Sequence, residues 1–171
     1  LVAHMEHGPK SWDHLRALPL PRWRFYIAKA ISVLSVVAAM SAGVLLLSLM
    51  AGWLAGIVKP AIQPEGDLGV MSAMSALGRI FLAGLLMIAL QLWIALRFSN
   101  FVPGLVLGIA GTFFAVVATA SRIGVFLPWQ MPVNMMATEP WRVQTALALG
   151  SIGGVVVLIL MAVHLSQHEA R

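Results

Sequence analysis

The sequence predicts an all-α fold: a polytopic helical transmembrane bundle with one short polar helix ahead of its first span. Three observations predict it. Of the 171 residues, 60% are hydrophobic and only 10% are charged, against roughly 25% charged in a soluble domain. The apolar residues come in blocks of about 20, the length that crosses a bilayer's hydrocarbon; alternating segments of about ten, the mark of a membrane barrel, are absent. The basic residues sit at the ends of these blocks, so the net charge of +5 follows the orientation of membrane spans rather than contact with nucleic acid.

Residues 1–10 (LVAHMEHGPK) begin apolar and end in Gly8-Pro9, a pair that breaks a helix. Leu1-Val2-Ala3 reads as the tail of an earlier hydrophobic helix, and neither an initiator Met nor a signal peptide is visible. Ser11 can cap a new helix, with Asp13 in its first turn near the positive end of the dipole. Trp12, Leu15 and Leu18 share a face, while Asp13 and Arg16 turn away. Pro19-Leu20-Pro21 stops this helix after about two turns, too few to hold in water without a membrane surface or a partner protein. Arg22, Trp23, Arg24, Tyr26 and Lys29 follow. Interleaved Arg, Trp and Tyr suit the headgroup layer, so this stretch reads as an interfacial anchor. The chain thus divides into 1–10, 11–29 and a four-span bundle over 30–171.

The first span runs over Ala30–Ile57, about 42 Å of helix that must tilt or protrude. Gly52 and Gly56 form a small-xxx-small pair. The loop Val58–Leu68 carries Lys59, two prolines, Glu65 and Asp67. The second span has its clean apolar block at Ile80–Leu96; Leu68–Arg79 before it is either an interfacial helix or the span's outer half. Arg79 and Gln91 are the polar residues of this region. Each is either a member of a substrate path or an ordinary snorkelling or inter-helix group. Arg97–Asn100 is a tight turn. The third span is Phe101–Ser121, with Gly104, Gly108 and Gly111 along one side.

Residues 122–141 (RIGVFLPWQMPVNMMATEPW) are apolar yet broken by three prolines. They read as a loop dipping into the interface with Trp129 and Trp141 as anchors; a lid facing a substrate is the alternative. The last span is Val143–Leu165, with Gly150 and Gly154 as a further small pair. With residues 6–29 inside, Lys10, Arg16, Arg22, Arg24, Lys29, Arg97 and Arg171 lie on the cytoplasmic side and only Lys59, Arg79, Arg122 and Arg142 outside. This places both the N-terminal region and the C-terminus in the cytoplasm.

Catalytic patterns are absent. There is no G-x-x-x-x-G-K-[ST], H-E-x-x-H or G-x-S-x-G, so no ATP hydrolysis, no other enzyme activity and no cofactor are expected of this chain. His4, Glu6, His7 and His14 lie close in sequence, but they flank a Gly-Pro break and read as solvated loop residues rather than a metal site. With no cysteine there is no thiolate chemistry. Few acids fall inside the spans, so a proton- or sodium-coupled relay lacks its carboxylates. Any transport draws its energy from elsewhere.

The run Glu6, Trp12, Leu15, Leu18-Pro19, Arg22, Tyr26 and Lys29 resembles the membrane subunits of type-2 ABC exporters, especially the lantibiotic (bacteriocin) immunity and bacitracin-type permeases. Phe101-Val102-Pro103-Gly104, Gly108, Gly111, Leu127-Pro128-Trp129 and Met131-Pro132 are similar to the later part of the same family. Such permeases usually have six spans, so the chain looks like a version without its first span and most of its second. The resemblance implies a bacterial cytoplasmic membrane protein that pairs with a second permease copy or a related permease and with separate ABC ATPase subunits. Ser11–Leu18 would be the coupling helix, meeting the ATPase through Trp12, Asp13, Leu15, Arg16 and Leu18. It implies export of a peptide antibiotic or another amphipathic molecule. The competing reading is a non-transporting membrane scaffold or sensor in which residues 11–29 only anchor to anionic lipid.

Overall fold

The computed structural model describes residues 22–59 and 69–168. Its long helices are α1 (Arg22–Val58), α2 (Val70–Arg97), α3 (Val102–Val117) and α5 (Pro140–His168); a single short turn of helix, α4, covers Met131–Asn134. There is no strand among the described residues. Four of these segments are long and apolar enough to cross a membrane: Trp23–Val58, Val70–Arg97, Val102–Ala120 and Pro140–Gln167. The polytopic all-α bundle read from the sequence is therefore present, with refined boundaries.

Helix α1 has 37 residues, about 55 Å of length. It starts at Arg22, roughly two turns before the expected start of the span at Ala30. The reason is local: Arg22–Lys29 contains neither Gly nor Pro, and Lys29 Nζ reaches back one turn to lie 4.5 Å from the Phe25 ring centre. The interfacial anchor is thus the first two turns of the membrane helix itself. Tyr26 and Ala30 are buried, but beyond them only Gly56 is buried on α1. Ser32, Ser41 and Ser48 each return their hydroxyl to the carbonyl four residues back, at 2.9, 2.8 and 2.8 Å, which satisfies the hydroxyl inside a hydrocarbon-facing helix.

Gly69 precedes α2 with φ of 56°, a left-handed conformation that costs glycine little. From there α2 runs unbroken to Arg97, so Val70–Arg79 is the first part of the second span, not a separate interfacial helix. Its buried residues are Ala83, Gly84, Leu85, Ala89 and Leu92.

Helices α2 and α5 form the centre of the fold. A Cβ added at Gly150 would collide with the Ala83 backbone, and one at Gly154 would come within 2.6 Å of Leu85 Cβ and 2.8 Å of the Leu86 nitrogen. The two backbones therefore touch. Lacking a water-driven force between helices, membrane bundles use such small residues to bring backbones together and gain dispersion contact. Two apolar clusters flank this seam. At the end where α1 begins, Tyr26 and Ala30 pack with Leu92, Met161, Ala162 and Leu165. Toward the other end, Ala83 and Ala146 pack with Val125 and Met131.

Helix α3 joins neither cluster. Its one buried residue is Ala115. The chain after it, through 3₁₀ turns at Ala118–Ala120 and Arg122–Phe126 and then α4, turns back into the bundle instead of leaving it. Val125 and Met131 are buried against α2 and α5, and Pro132 lies 3.6 Å from where a Gly84 Cβ would be. Ala83 sits 13 residues into α2, about 20 Å below its start. The connection is thus a re-entrant wedge.

Candidate functional site

Among the described residues, three side chains reach α3 from the rest of the molecule at close range. The first is Gln91 of α2, a polar residue in an otherwise apolar stretch. Turned so that each amide group meets its complement, its Nε2 donates to the Gly104 carbonyl at 3.1 Å and its oxygen accepts from the Gly108 N–H at 3.1 Å. These are the two groups that an α-helix ordinarily pairs with each other. The carboxamide fits there because residue 108 has no Cβ, which would fall 2.7 Å from its terminal atom. The second is Trp129 of the wedge. Its indole is half-buried and lies so close over Gly111 that a Cβ would penetrate the ring. The third is Gln130, buried, whose Nε2 donates to the Ala115 carbonyl at 2.8 Å and to Thr119 Oγ1 at 2.7 Å.

Beyond Gln130 the polar contacts continue into α5. Asn134 Nδ2 donates to the Gln130 carbonyl at 2.9 Å. Arg142, with a side chain only 15% exposed, donates from Nη2 to the Ser121 carbonyl at 2.6 Å and from Nη1 to Asn134 Oδ1 at 3.5 Å. Glu139 Oε2 lies 3.1 Å from Arg142 Nε as an ion pair. A guanidinium this buried needs several acceptors. Here the acceptors are Ser121 and Asn134 of the wedge and Glu139 just before α5, so one side chain of α5 ties the wedge to it at both ends.

The remaining polar groups are scattered. Arg79 is exposed and makes only long contacts within its own helix, 3.4 Å to the Ser75 carbonyl and 3.4 Å to Ser75 Oγ. At the opposite end, Trp93 Nε1 donates to His164 Nδ1 at 3.3 Å across α2 and α5, with the rings edge to face. Trp141 is exposed and carries the Arg142 guanidinium 5.6 Å from its ring centre; of the two tryptophans expected as interfacial anchors, Trp129 is instead packed against α3.

Gln91 and Trp129 therefore lie along one face of α3, one at Gly108 and the other at Gly111, while Arg79 is remote from both. Trp12, Asp13, Leu15, Arg16 and Leu18 lie outside the described residues, as do His4, Glu6, His7 and His14. Of the anchor, Trp23 and Arg24 are exposed, with Arg24 5.6 Å from the Trp23 ring centre, whereas Tyr26 is buried. Gln130, Asn134 and Arg142 were not singled out from sequence. Their one signal was the placement of hydrogen-bonding side chains within an apolar, proline-broken run.

Beside Gln91 the surface of α3 opens into a groove of about 550 Å³, lined by Gln91, Gly104, Leu105, Gly108, Ile109, Thr112 and Phe113. Apart from Gln91 and Thr112 the lining side chains are apolar, and Thr112 spends its hydroxyl proton on the Gly108 carbonyl at 2.8 Å.

Four helices long and apolar enough to cross a membrane, with a connection packed back between two of them, define a multi-pass membrane protein. The family model of the ABC-2 family transporter proteins matches residues 1–117. The chain belongs to that family: it is a multi-pass membrane permease of the ABC-2 type, a class whose partner is an ABC ATPase. No curated protein and no solved structure matches it.

Proposed function

We propose that this chain is the membrane-spanning permease subunit of an ABC exporter that moves a peptide antibiotic or another amphipathic molecule, of the kind handled by lantibiotic immunity permeases. ATP is hydrolysed by a separate ATPase subunit, and a second permease copy or a related permease completes the membrane unit. The observation that carries this reading is the family match over residues 1–117, which takes in the polar stretch 11–29 and the first three spans of a chain in whose sequence no P-loop pattern occurs. Residues 6–29 and the C-terminus face the cytoplasm, where most of the basic residues fall. Ser11–Leu18 is the coupling helix, and Trp12, Asp13, Leu15, Arg16 and Leu18 meet the ATPase. Arg22, Trp23, Arg24, Tyr26 and Lys29 hold that helix at the membrane surface. Coupling requires that the ATPase contact differ between its nucleotide states. Arg79, Gln91 and Trp129 are the residues proposed for the substrate path.

Co-purification with the ATPase tests the reading. Trp12→Ala or Leu15→Asp abolishes association while the bundle stays folded by circular dichroism. Undiminished association would sink the assignment of the coupling helix. If charge reversal at Arg22 and Arg24 matters and loss of Trp12 does not, the segment is a lipid anchor and the scaffold reading replaces this one.

A further inference from the structure

We propose that Trp93 and His164 form a pH-sensitive clasp at one end of the α2–α5 seam, closed while His164 is neutral and released when it is protonated. The glycines of the seam meet α2 at Ala83 and Leu85. About three turns further along α2, Trp93 Nε1 donates to His164 Nδ1 of α5 at 3.3 Å, with the ring centres 5.5 Å apart and the planes at 62°. Both side chains are half-buried. Trp93 also packs against the cluster of Tyr26, Ala30, Leu92, Met161, Ala162 and Leu165, so the clasp stands where α1 meets the seam.

The chemistry of the pair fixes the proton. An indole N–H donates and cannot accept. Nδ1 must therefore offer a lone pair, which puts the proton of the neutral ring on Nε2. A second proton can go only to Nδ1. It takes the lone pair, two N–H groups then face each other, and the bond is lost. The contact is complete at high pH and disappears as pH falls through the His164 transition. Histidine is the side chain that makes this change near neutral pH. His164 is one turn from His168 at the end of α5, so a proton from water has a short way to travel.

The titratable and charged groups at this end lie on three helices. Arg22, Tyr26 and Lys29 fall along one side of α1, and Arg24 is exposed beside Trp23. Lys29 is one turn from both Phe25 and Val33, which pack against the same cluster. Arg97 follows Trp93 by one turn on α2, and His168 follows His164 by one turn on α5; the first turns of α3 hold none. The one acid among the described residues is Glu139, before the opposite end of α5. A proton on His164 adds positive charge where Lys29 and Arg97 already lie, and repulsion acts in the same direction as loss of the bond. That the pH sensed is the cytoplasm's rests on the orientation proposed above; the clasp itself does not.

The test uses the full chain in lipid nanodiscs, open to water on both faces, so it needs neither an ATPase nor a known orientation. Spin labels at Phe98→Cys and Gln167→Cys report the clasp end of α2 against α5, and labels at Leu82→Cys and Leu149→Cys report the glycine end. From pH 8 to pH 5 the longer-distance population of the first pair should rise about threefold, the worth of one hydrogen bond between membrane helices, while the second pair stays unchanged. His164→Asn keeps an acceptor in the place of Nδ1 but takes up no proton, and its distances should not depend on pH. Trp93→Phe keeps a ring without the donor, and its first pair should already be long at pH 8. A first pair that ignores pH with His164 in place, a response that survives His164→Asn, an equal response of both pairs, or a Trp93→Phe chain still closed at pH 8 would each overturn the clasp.

Discussion

The α2–α5 seam and the attachment of α3 solve the same problem in opposite ways. In the seam, Gly150 and Gly154 let two backbones touch, and Ala83, Ala146 and Met161 are fully buried around them. Helix α3 is exposed on most of its surface and is held by an amide at Gly108, an indole at Gly111 and an amide at Ala115. The seam gains close packing along two backbones at once, whereas α3 is attached mainly through single side chains. By this argument the seam is the firmer joint and α3 the more easily displaced. A carrier needs both, a fixed frame and an element whose position can be biased by a partner.

The sharpest way to break this contrast is to separate the seam. Gly150→Leu forces a side chain into the Ala83 backbone, and overpacking of this kind costs about 3 kcal/mol or more. The expected outcome is a chain that no longer elutes as a single species in detergent and loses its cooperative thermal transition. A variant with wild-type melting would show that α2 and α5 are not held in backbone contact. Met161→Ala comes next, at about 2–5 kcal/mol, because Met161 is fully buried where α1, α2 and α5 meet. It lowers the melting temperature without changing the elution profile.

How legible these parts were in the sequence follows from the same contrast. Long apolar blocks and the Gly150/Gly154 spacing depend only on residue type and helical period, so the spans were readable, and so was a close approach at Gly150 and Gly154, though not that α2 makes it. The other small pairs read alike but behave differently: a Cβ at Gly52 or Gly104 would meet nothing within 4 Å, while one at Gly108 or Gly111 would meet a side chain. Spacing says that a close approach is permitted, not what approaches. The wedge was the least readable. Its prolines, tryptophans and methionines suit an interfacial loop equally well, and what turns it inward is the meeting of Gln130 with Ala115 and of Arg142 with Ser121, pairs that no local pattern encodes. Arg142 entered the sequence reading only as a positive charge outside. Gln91 stood out as a lone amide in an apolar span, but its partner is backbone, which every residue has.

Arg142→Met tests the tie between the wedge and α5. It leaves the Ser121 carbonyl and Asn134 without their donor in a largely buried place, at about 1–3 kcal/mol. Because the loss falls on the wedge and not on the seam, the expected signature is faster limited cleavage by chymotrypsin at Phe126 or Trp129 with the main thermal transition nearly in place. Loss of the whole transition would mean that the wedge is part of the frame.

The smallest expected change in stability is at Gln91, and its smallness is the point. Hydrogen bonds between helices in a membrane average about 0.6 kcal/mol, because the groups released find other partners. Gly104 and Gly108 have theirs in α3 itself, so Gln91→Leu should barely move the melting temperature. Its effect should appear in position instead. The chain has no cysteine, so spin labels can be introduced at will. A pair at Leu90→Cys and Ile109→Cys reports α2 against α3, and a pair at Leu82→Cys and Leu149→Cys reports α2 against α5. In Gln91→Leu the first distance distribution broadens in a double electron–electron resonance measurement and the second stays narrow. If both broaden, Gln91 supports the frame; if neither does, Trp129 and Gln130 alone fix α3, and the inner half of the helix is not free to move.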